Sequence, residues 1–126
     1  MINIGKQIEY WITSAKSDLD TAELLIHEYR YTHGLFFCHL AIEKGFKAHV
    51  AKTTNQMPPK SHNLIYLLDL AKITICEQDE DFLGVLMKYQ LEGRYPDYNP
   101  VIPSETKVTD YLNRSKALLI WLERKL

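Results

Sequence analysis

The stretch LFFCHLAIEKGFKAHVAK, residues 35–52, decides the fold class. Its first half is apolar on every side, and its second half becomes amphipathic, with Phe46 and Val50 continuing the apolar stripe. A helix that is apolar all round is buried all round, so the stretch predicts a helix at a bundle centre or at a subunit contact. Gly45 costs about 1 kcal/mol relative to alanine in a helix, and we expect it to permit a close helix crossing.

Four further segments on either side of this helix are also predicted to be helical. Residues 6–29 and the segment after Ser104 carry apolar side chains at three- and four-residue spacing, the period of an amphipathic helix. Two shorter helices are predicted between them, over residues 62–71 and from residue 79 or 81 to about residue 94. Ser61 and Ser104 are expected to cap the third and fifth helices, because a serine hydroxyl accepts from the free N–H groups of a first turn.

These segments predict an all-α fold. Residues 73–76 are mostly β-branched, but they are too few and too isolated to predict a strand. Helices joined by short links pack most simply as an antiparallel up-and-down bundle of about five helices. The length of 126 residues suits a single domain over residues 1–126 with one core.

The charge and composition of the chain exclude several classes of function. The net charge of −1 gives no overall field that attracts nucleic acid or a membrane, so any anion site must be local. Cys38 and Cys76 have no metal or redox spacing, and we expect neither a metal nor a cofactor. The first residues lack a signal-peptide pattern, and no run approaches the 18 apolar residues of a membrane span. The sequence therefore predicts a cytoplasmic protein with no membrane contact.

A polar row interrupts the second helix. Residues four apart on a helix lie on one side, so His39, Glu43 and Lys47 form one row, and Glu43 and Lys47 are a favourable ion pair. One interpretation is a solvated surface pair beside a histidine at the edge of the core. The other is the polar wall of a groove. The row supplies at most two metal ligands, so no metal motif is complete.

The predicted start of the third helix, Ser61-His62-Asn63, is a second candidate site. Free N–H groups at a helix start favour an anion, and His62 offers a donor or a group that titrates near neutral pH. The alternative is plain helix capping, with His62 packed against a neighbour.

The segment RYPDYNP, residues 94–100, is the third candidate site. The Arg94 guanidinium is a ready-made fork for phosphate or carboxylate. Pro96 turns Tyr95 away from helix, so Arg94 is expected at a helix exit beside an irregular loop. The alternative is a rigid connection in which Arg94 forms a salt bridge with Asp97 or another acidic neighbour and the tyrosines only pack.

The order and spacing of these segments resemble the HEPN domain, the "higher eukaryotes and prokaryotes nucleotide-binding" family, over essentially the whole chain. The resemblance rests on Trp11 with Ala15 and Asp18-Leu19, on residues 35–44 followed by Lys47-Ala48, on His62-Asn63-Leu64, and on Arg94-Tyr95-Pro96-Asp97.

The resemblance implies a compact helical bundle that is often a homodimer. It also implies a minimal nucleotidyltransferase as protein partner, in a toxin–antitoxin-like system. On this basis we expect a nucleotide or RNA, or the partner, to bind through Lys44, Lys47, His62, Asn63 and Arg94. The supporting residues are expected to be His39, Glu43, Tyr95 and Asp97.

The ribonuclease branch of the family places a histidine after an arginine that corresponds to Arg94, with four to six residues between them. Positions 99–101 hold Asn99, Pro100 and Val101 instead. Metal-independent RNA cleavage needs groups that exchange protons near neutral pH, which asparagine does not do. We therefore expect a binding module without enzyme activity. Two alternatives stay open, namely an RNase in which His62 acts with Arg94, and a structural adaptor without a ligand site.

Overall fold

The computed structural model describes residues 2–92 and 94–126, which form five α-helices. They are α1 (Ile4–His27), α2 (Tyr31–Thr54), α3 (Leu64–Ala71), α4 (Glu77–Met87) and α5 (Glu105–Arg124). The predicted all-α bundle is confirmed, and residues 73–76 form no strand. None of the helices in the described part of the chain is long and apolar enough to cross a membrane.

The second helix is the central element of the bundle, because it packs against each of the other four helices. Leu35, Ile42 and Phe46 are fully buried, as the all-round apolar sequence predicts. Phe36 and Phe37, at the start of the same helix, remain partly exposed. The apolar start of α2 is therefore covered on the bundle side only.

Two glycines permit close contacts of α2 with its neighbours. A Cβ atom at Gly34 would lie 2.5 Å from Ile26 Cγ1 and 3.2 Å from the carbonyl oxygen of Ala22, so α1 and α2 approach closely there. A Cβ atom at Gly45 would lie 3.1 Å from side-chain atoms of Leu119 and of α5's Leu122. The expected close crossing at Gly45 is thus formed with α5.

The start of α3 corrects one predicted helix cap. Asn63, rather than Ser61, is the N-cap, because its side-chain oxygen accepts hydrogen bonds from the backbone N–H groups of Ile65 and Tyr66. The Ser61 hydroxyl accepts instead from the N–H of Asn63, in a turn before the helix. The prediction for α5 is confirmed, since the Ser104 hydroxyl accepts from the N–H of Lys107 at 3.3 Å.

The end of α4 corrects a second prediction, because the helix stops at Met87 rather than near residue 94. Two side chains from the following loop donate hydrogen bonds to carbonyl groups at this end and just after it. Arg94 Nε donates to the carbonyl oxygen of Gln90 at 3.0 Å, Arg94 Nη2 donates to that of Met87 at 3.4 Å, and the Tyr98 hydroxyl donates to that of Lys88. These hydrogen bonds hold the loop against the end of α4. The helix dipole also favours a cation near a helix C-terminus.

Candidate functional site

The polar row of α2 lies inside the protein. His39, Glu43 and Lys47 are 0%, 3% and 6% exposed. The interpretation of Glu43 and Lys47 as a solvated surface pair is therefore wrong. The residues that precede α3 pass over this row, and His62 contacts it.

The buried row and His62 form a connected cluster of polar contacts. Glu43 Oε1 accepts a hydrogen bond from His62 Nδ1 at 2.9 Å, and Glu43 Oε2 accepts from Lys47 Nζ at 3.1 Å. The Lys47 ammonium also lies 5.2 Å from the centre of the Trp11 ring. His39 Nε2 donates to the carbonyl oxygen of His62 at 3.1 Å, so this nitrogen carries the proton. We call these four residues, His39, Glu43, Lys47 and His62, the buried polar cluster.

The cluster holds little free charge for a ligand. Burial lowers the pKa of His39 to about 4, so this ring is neutral at pH 7. The Glu43 carboxylate is paired with Lys47, which is the arrangement that a buried charge requires. Only the His62 ring reaches the surface, with 43% of its side chain exposed, and its Nε2 lies 3.4 Å from Glu92 Oε2. Sequence analysis missed Glu92, because only the fold of the loop brings it to His62.

Lys44 and Asn63, two predicted ligand-binding residues, have structural contacts. Lys44 Nζ pairs with Asp18 Oδ2 at 2.7 Å and donates to Ser14 Oγ at 2.8 Å, which ties α2 to α1. The side-chain oxygen of Asn63 caps α3. Neither residue joins the cluster through a hydrogen bond or ion pair in the described part of the chain. Their role in ligand binding stays a prediction.

The contacts of the Arg94 side chain are with the loop and the end of α4. The Arg94 guanidinium stacks on the Tyr98 ring at 4.4 Å and bonds to carbonyl groups at the end of α4. Within residues 2–92 and 94–126, Arg94 forms no ion pair with Asp97 and no hydrogen bond or ion pair with His62. Tyr95 is 82% exposed. No described hydrogen bond or ion pair therefore joins Arg94 to the cluster, although Glu92, two residues earlier in the chain, lies 3.4 Å from His62 Nε2.

A cavity of about 580 Å³ lies between the loop and the first turns of α5. We call it the loop cavity. Its lining includes Lys88, Tyr98, Lys107 and Tyr111, together with the backbone or side chains of residues 99–101. Neither Lys88 nor Lys107 forms an ion pair within the described part of the chain. Sequence reasoning missed both lysines, although Lys107 stands three residues after the capping Ser104, in the first turn of α5.

The lining of the loop cavity contains no histidine, aspartate or glutamate. Asn99, Pro100 and Val101 all line it, so the positions at which the sequence resemblance implies a ribonuclease histidine belong to the cavity wall. The Tyr89 hydroxyl donates to the carbonyl oxygen of Val101 at 3.0 Å and holds this wall in place. Burial raises the pKa of Tyr89, which leaves its hydroxyl protonated. No group of three or more His, Cys, Asp or Glu residues in the described residues is arranged to hold a metal ion.

Comparisons with known proteins agree with this fold. A family model described as "HEPN domain" matches residues 8–125. The crystal structure of TT1696 from Thermus thermophilus superposes with a TM-score of 0.77 at 22% identity, covering 95% of this chain and 98% of that one. ST0689, described as an archaeal HEPN homologue, gives a TM-score of 0.64 at 18% identity over 94% and 96% of the two chains. No curated protein matches the sequence.

Proposed function

The chain belongs to the HEPN domain family, and we propose that it is a cytoplasmic, non-enzymatic module that binds a nucleotide in the loop cavity. In this proposal it works as a homodimer with a minimal nucleotidyltransferase in a toxin–antitoxin-like system. One observation carries the proposal. The cavity combines lysines and tyrosines with a wall in which Asn99, Pro100 and Val101 occupy the positions of the ribonuclease histidine.

The size and chemistry of the loop cavity suit a nucleotide. Its volume of about 580 Å³ lies within the range of about 300–1,000 Å³ that is typical of small-molecule sites. Lys88 and Lys107 supply positive charge for phosphate groups. The start of α5 at Ser104 adds free N–H groups and the positive end of a helix dipole. The Tyr98 and Tyr111 rings offer apolar faces for a base.

Arg94 acts indirectly on this site. Its guanidinium carbon lies 4.4 Å from the centre of the Tyr98 ring and covers one face of that ring. The guanidinium is itself held by hydrogen bonds to the carbonyl groups of Gln90 and Met87. Arg94 thus fixes a side chain that lines the cavity, without lining the cavity itself. We therefore treat Arg94 as a positioning residue for the nucleotide.

The same lining argues against catalysis in the cavity. Proton transfer in RNA cleavage is most efficient from groups with a pKa near the working pH. Lysine and tyrosine ordinarily titrate near pH 10, and the cavity lining offers no histidine or carboxylate. The cavity is therefore suited to holding a nucleotide and not to cleaving RNA.

The test is calorimetric titration of the protein with ATP and other nucleotides. We expect Lys107→Ala to weaken binding about tenfold, because a hydrogen bond to a charged group contributes about 1.5–3 kcal/mol. Lys6→Ala, which removes an exposed lysine of α1, is the matched control and should bind as the wild type does. The proposal fails if the wild type binds no nucleotide and no nucleotidyltransferase co-purifies with it.

A metal-independent RNase is the second candidate function, and one observation favours it. Glu43 fixes His62 through Nδ1, and Nε2 of the partly exposed ring lies 3.4 Å from the carboxylate of the exposed Glu92. A carboxylate orients the histidine base of many hydrolases in this way. Incubation of the pure protein with RNA and EDTA decides the question. Cleavage that is lost in His62→Ala supports this function, and intact RNA at micromolar protein excludes it.

The assembly state needs a separate measurement. The partly exposed Phe36 and Phe37 at the start of α2 support a subunit contact. We expect the mass in solution to be that of a dimer, and Phe37→Glu to convert it to a monomer. A wild-type monomer would remove the dimer from the proposal and leave the loop cavity unaffected.

A further inference from the structure

A second cavity, of about 470 Å³, lies where α2, α3 and α5 end. Three lysines line it, namely Lys52 in the last turn of α2, Lys72 at the end of α3 and Lys125 at the end of α5. His49 and Trp121 also line it. We call this the basic cavity. It shares no lining residue with the loop cavity.

The three lysines carry more charge than the helix ends require. A helix C-terminus is equivalent to about −0.5 of an elementary charge, so three ends amount to about −1.5 against three ammonium groups. Lys52 Nζ already donates to the carbonyl oxygen of Lys125, at 3.4 Å. No acidic residue lines the cavity, and the ion pairs of the described residues use none of these lysines. A positive excess therefore remains on a chain whose net charge is −1.

The walls of the basic cavity are held in place by hydrogen bonds between helices. His49 Nε2 donates to the carbonyl oxygen of Leu122 at 2.7 Å, which ties α2 to α5. The Thr53 hydroxyl donates to the carbonyl oxygen of Ala71 at 3.1 Å, which ties α2 to α3. The spacing of the three helix ends, and with it the separation of the lysine backbones, is therefore fixed before any ligand arrives. A preorganised site loses less entropy on binding.

Trp121 gives the cavity an aromatic wall. The Lys125 ammonium lies 5.1 Å from the centre of this ring. Trp121 and Thr74 also line a neighbouring cavity of about 440 Å³ that contains Arg114. The indole thus stands between two concave surfaces with a basic residue in each. Its fluorescence will report what binds on either side.

We propose that the basic cavity binds a small anion that carries two linked phosphate groups. An ammonium group is a compact point charge that binds phosphate from any direction, and three of them around one cavity suit a ligand with more than one phosphate. Free pyrophosphate and the diphosphate end of a nucleotide share this chemistry. The proposal is independent of the function proposed for the loop cavity, because each site has its own lysines.

Trp121 fluorescence tests the proposal directly. The chain has two tryptophans, so Trp11→Phe leaves Trp121 as the only one. Titration with pyrophosphate at constant ionic strength should give a saturable change in fluorescence. Lys52→Ala and Lys72→Asn should each weaken binding about tenfold. Asparagine is chosen at position 72 because φ is 56° there, a left-handed conformation that asparagine tolerates.

Controls separate the two sites and the two ligand sources. Lys107→Ala should leave the pyrophosphate titration unchanged, whereas it weakens nucleotide binding in the loop cavity. A matched titration with ADP distinguishes the sources, because tighter binding of ADP indicates a nucleoside diphosphate and equal or weaker binding indicates the phosphates alone. Should Trp11→Phe fail to fold, calorimetry with pyrophosphate on chains that keep Trp11 applies the same lysine variants. A non-saturable signal, or an affinity that Lys52→Ala and Lys72→Asn leave unchanged, overturns the proposal.

Discussion

The buried polar cluster and the loop cavity both contain residues or positions that sequence analysis selected, yet they differ in how their charges are used. In the cluster, the Glu43 carboxylate is bonded to Lys47 and His62 inside the protein. In the loop cavity, Lys88 and Lys107 are exposed, and neither forms an ion pair within the described residues. A charge with a protein partner stabilises the fold, and a charge without one is available to a ligand. Four substitutions test this distinction.

Glu43→Ala should have the largest effect, on stability. It leaves the Lys47 ammonium buried without its carboxylate, and removal of one partner of a buried pair costs about 3–5 kcal/mol. Urea unfolding measures the loss. Glu92→Ala is the control, because Glu92 contacts the same histidine but 58% of its side chain is exposed, and we expect a change below about 1 kcal/mol. A loss below about 1 kcal/mol for Glu43→Ala would show that the cluster does not hold the fold.

The second effect is a dependence of stability on pH. Burial lowers the pKa of His39 from 6.5 to about 4, so the unfolded chain binds a proton at this residue more readily than the folded chain does. Stability should therefore fall as the pH decreases from about 6.5 to about 4, by at most about 3 kcal/mol for this residue. Burial also lowers the pKa of His49, which acts in the same direction.

His39→Gln separates the two histidines. Glutamine keeps a donor for the carbonyl group of His62 but has no proton to gain. Urea unfolding at pH 7 and pH 5 should give a smaller stability difference for His39→Gln than for the wild type. An equal difference in the two proteins would assign the pH dependence to other groups.

The helices were predictable from the sequence because their signal is local. The three- and four-residue spacing of apolar side chains identified four of the described helices, and the run that is apolar on every side identified α2. Ser104 was the correct cap because its partner lies three residues away. The end of α4 was not predictable in this way. Arg94 and Tyr98 bond to carbonyl groups at this end, and they reach these groups through the fold of the loop.

The sites were less predictable, because their residues meet only in the folded chain. The periodicity of α2 identifies the polar row but does not say that His62, from outside the helix, covers it. Lys88 and Lys107 face one cavity because the loop between them turns back. Lys52 and Lys125 are far apart in sequence and meet because their helices end at the same side of the bundle.

Lys44→Ala should have a smaller effect on stability, of about 1 kcal/mol. Lys44 pairs with Asp18 at a partly buried contact between α1 and α2, where the side chains are 22% and 15% exposed. Its affinity for nucleotide should equal that of the wild type, as measured by calorimetry. Lys16→Ala, which breaks the more exposed pair with Glu123, is the control and should cost less. A loss of nucleotide affinity in Lys44→Ala would show that Lys44 contributes to nucleotide binding.

Arg94→Ala should have the smallest effect on stability, of about 0.5 kcal/mol or less, because Arg94 is exposed and its side chain bonds to backbone carbonyl groups and stacks on Tyr98. Its nucleotide affinity should nevertheless fall severalfold, since Tyr98 loses the guanidinium that positions its ring in the cavity wall. Tyr95→Ala is the matched control, because the Tyr95 side chain is 82% exposed and does not line the cavity. Equal nucleotide affinity in Arg94→Ala and the wild type would mean that Arg94 does not position Tyr98 for the nucleotide.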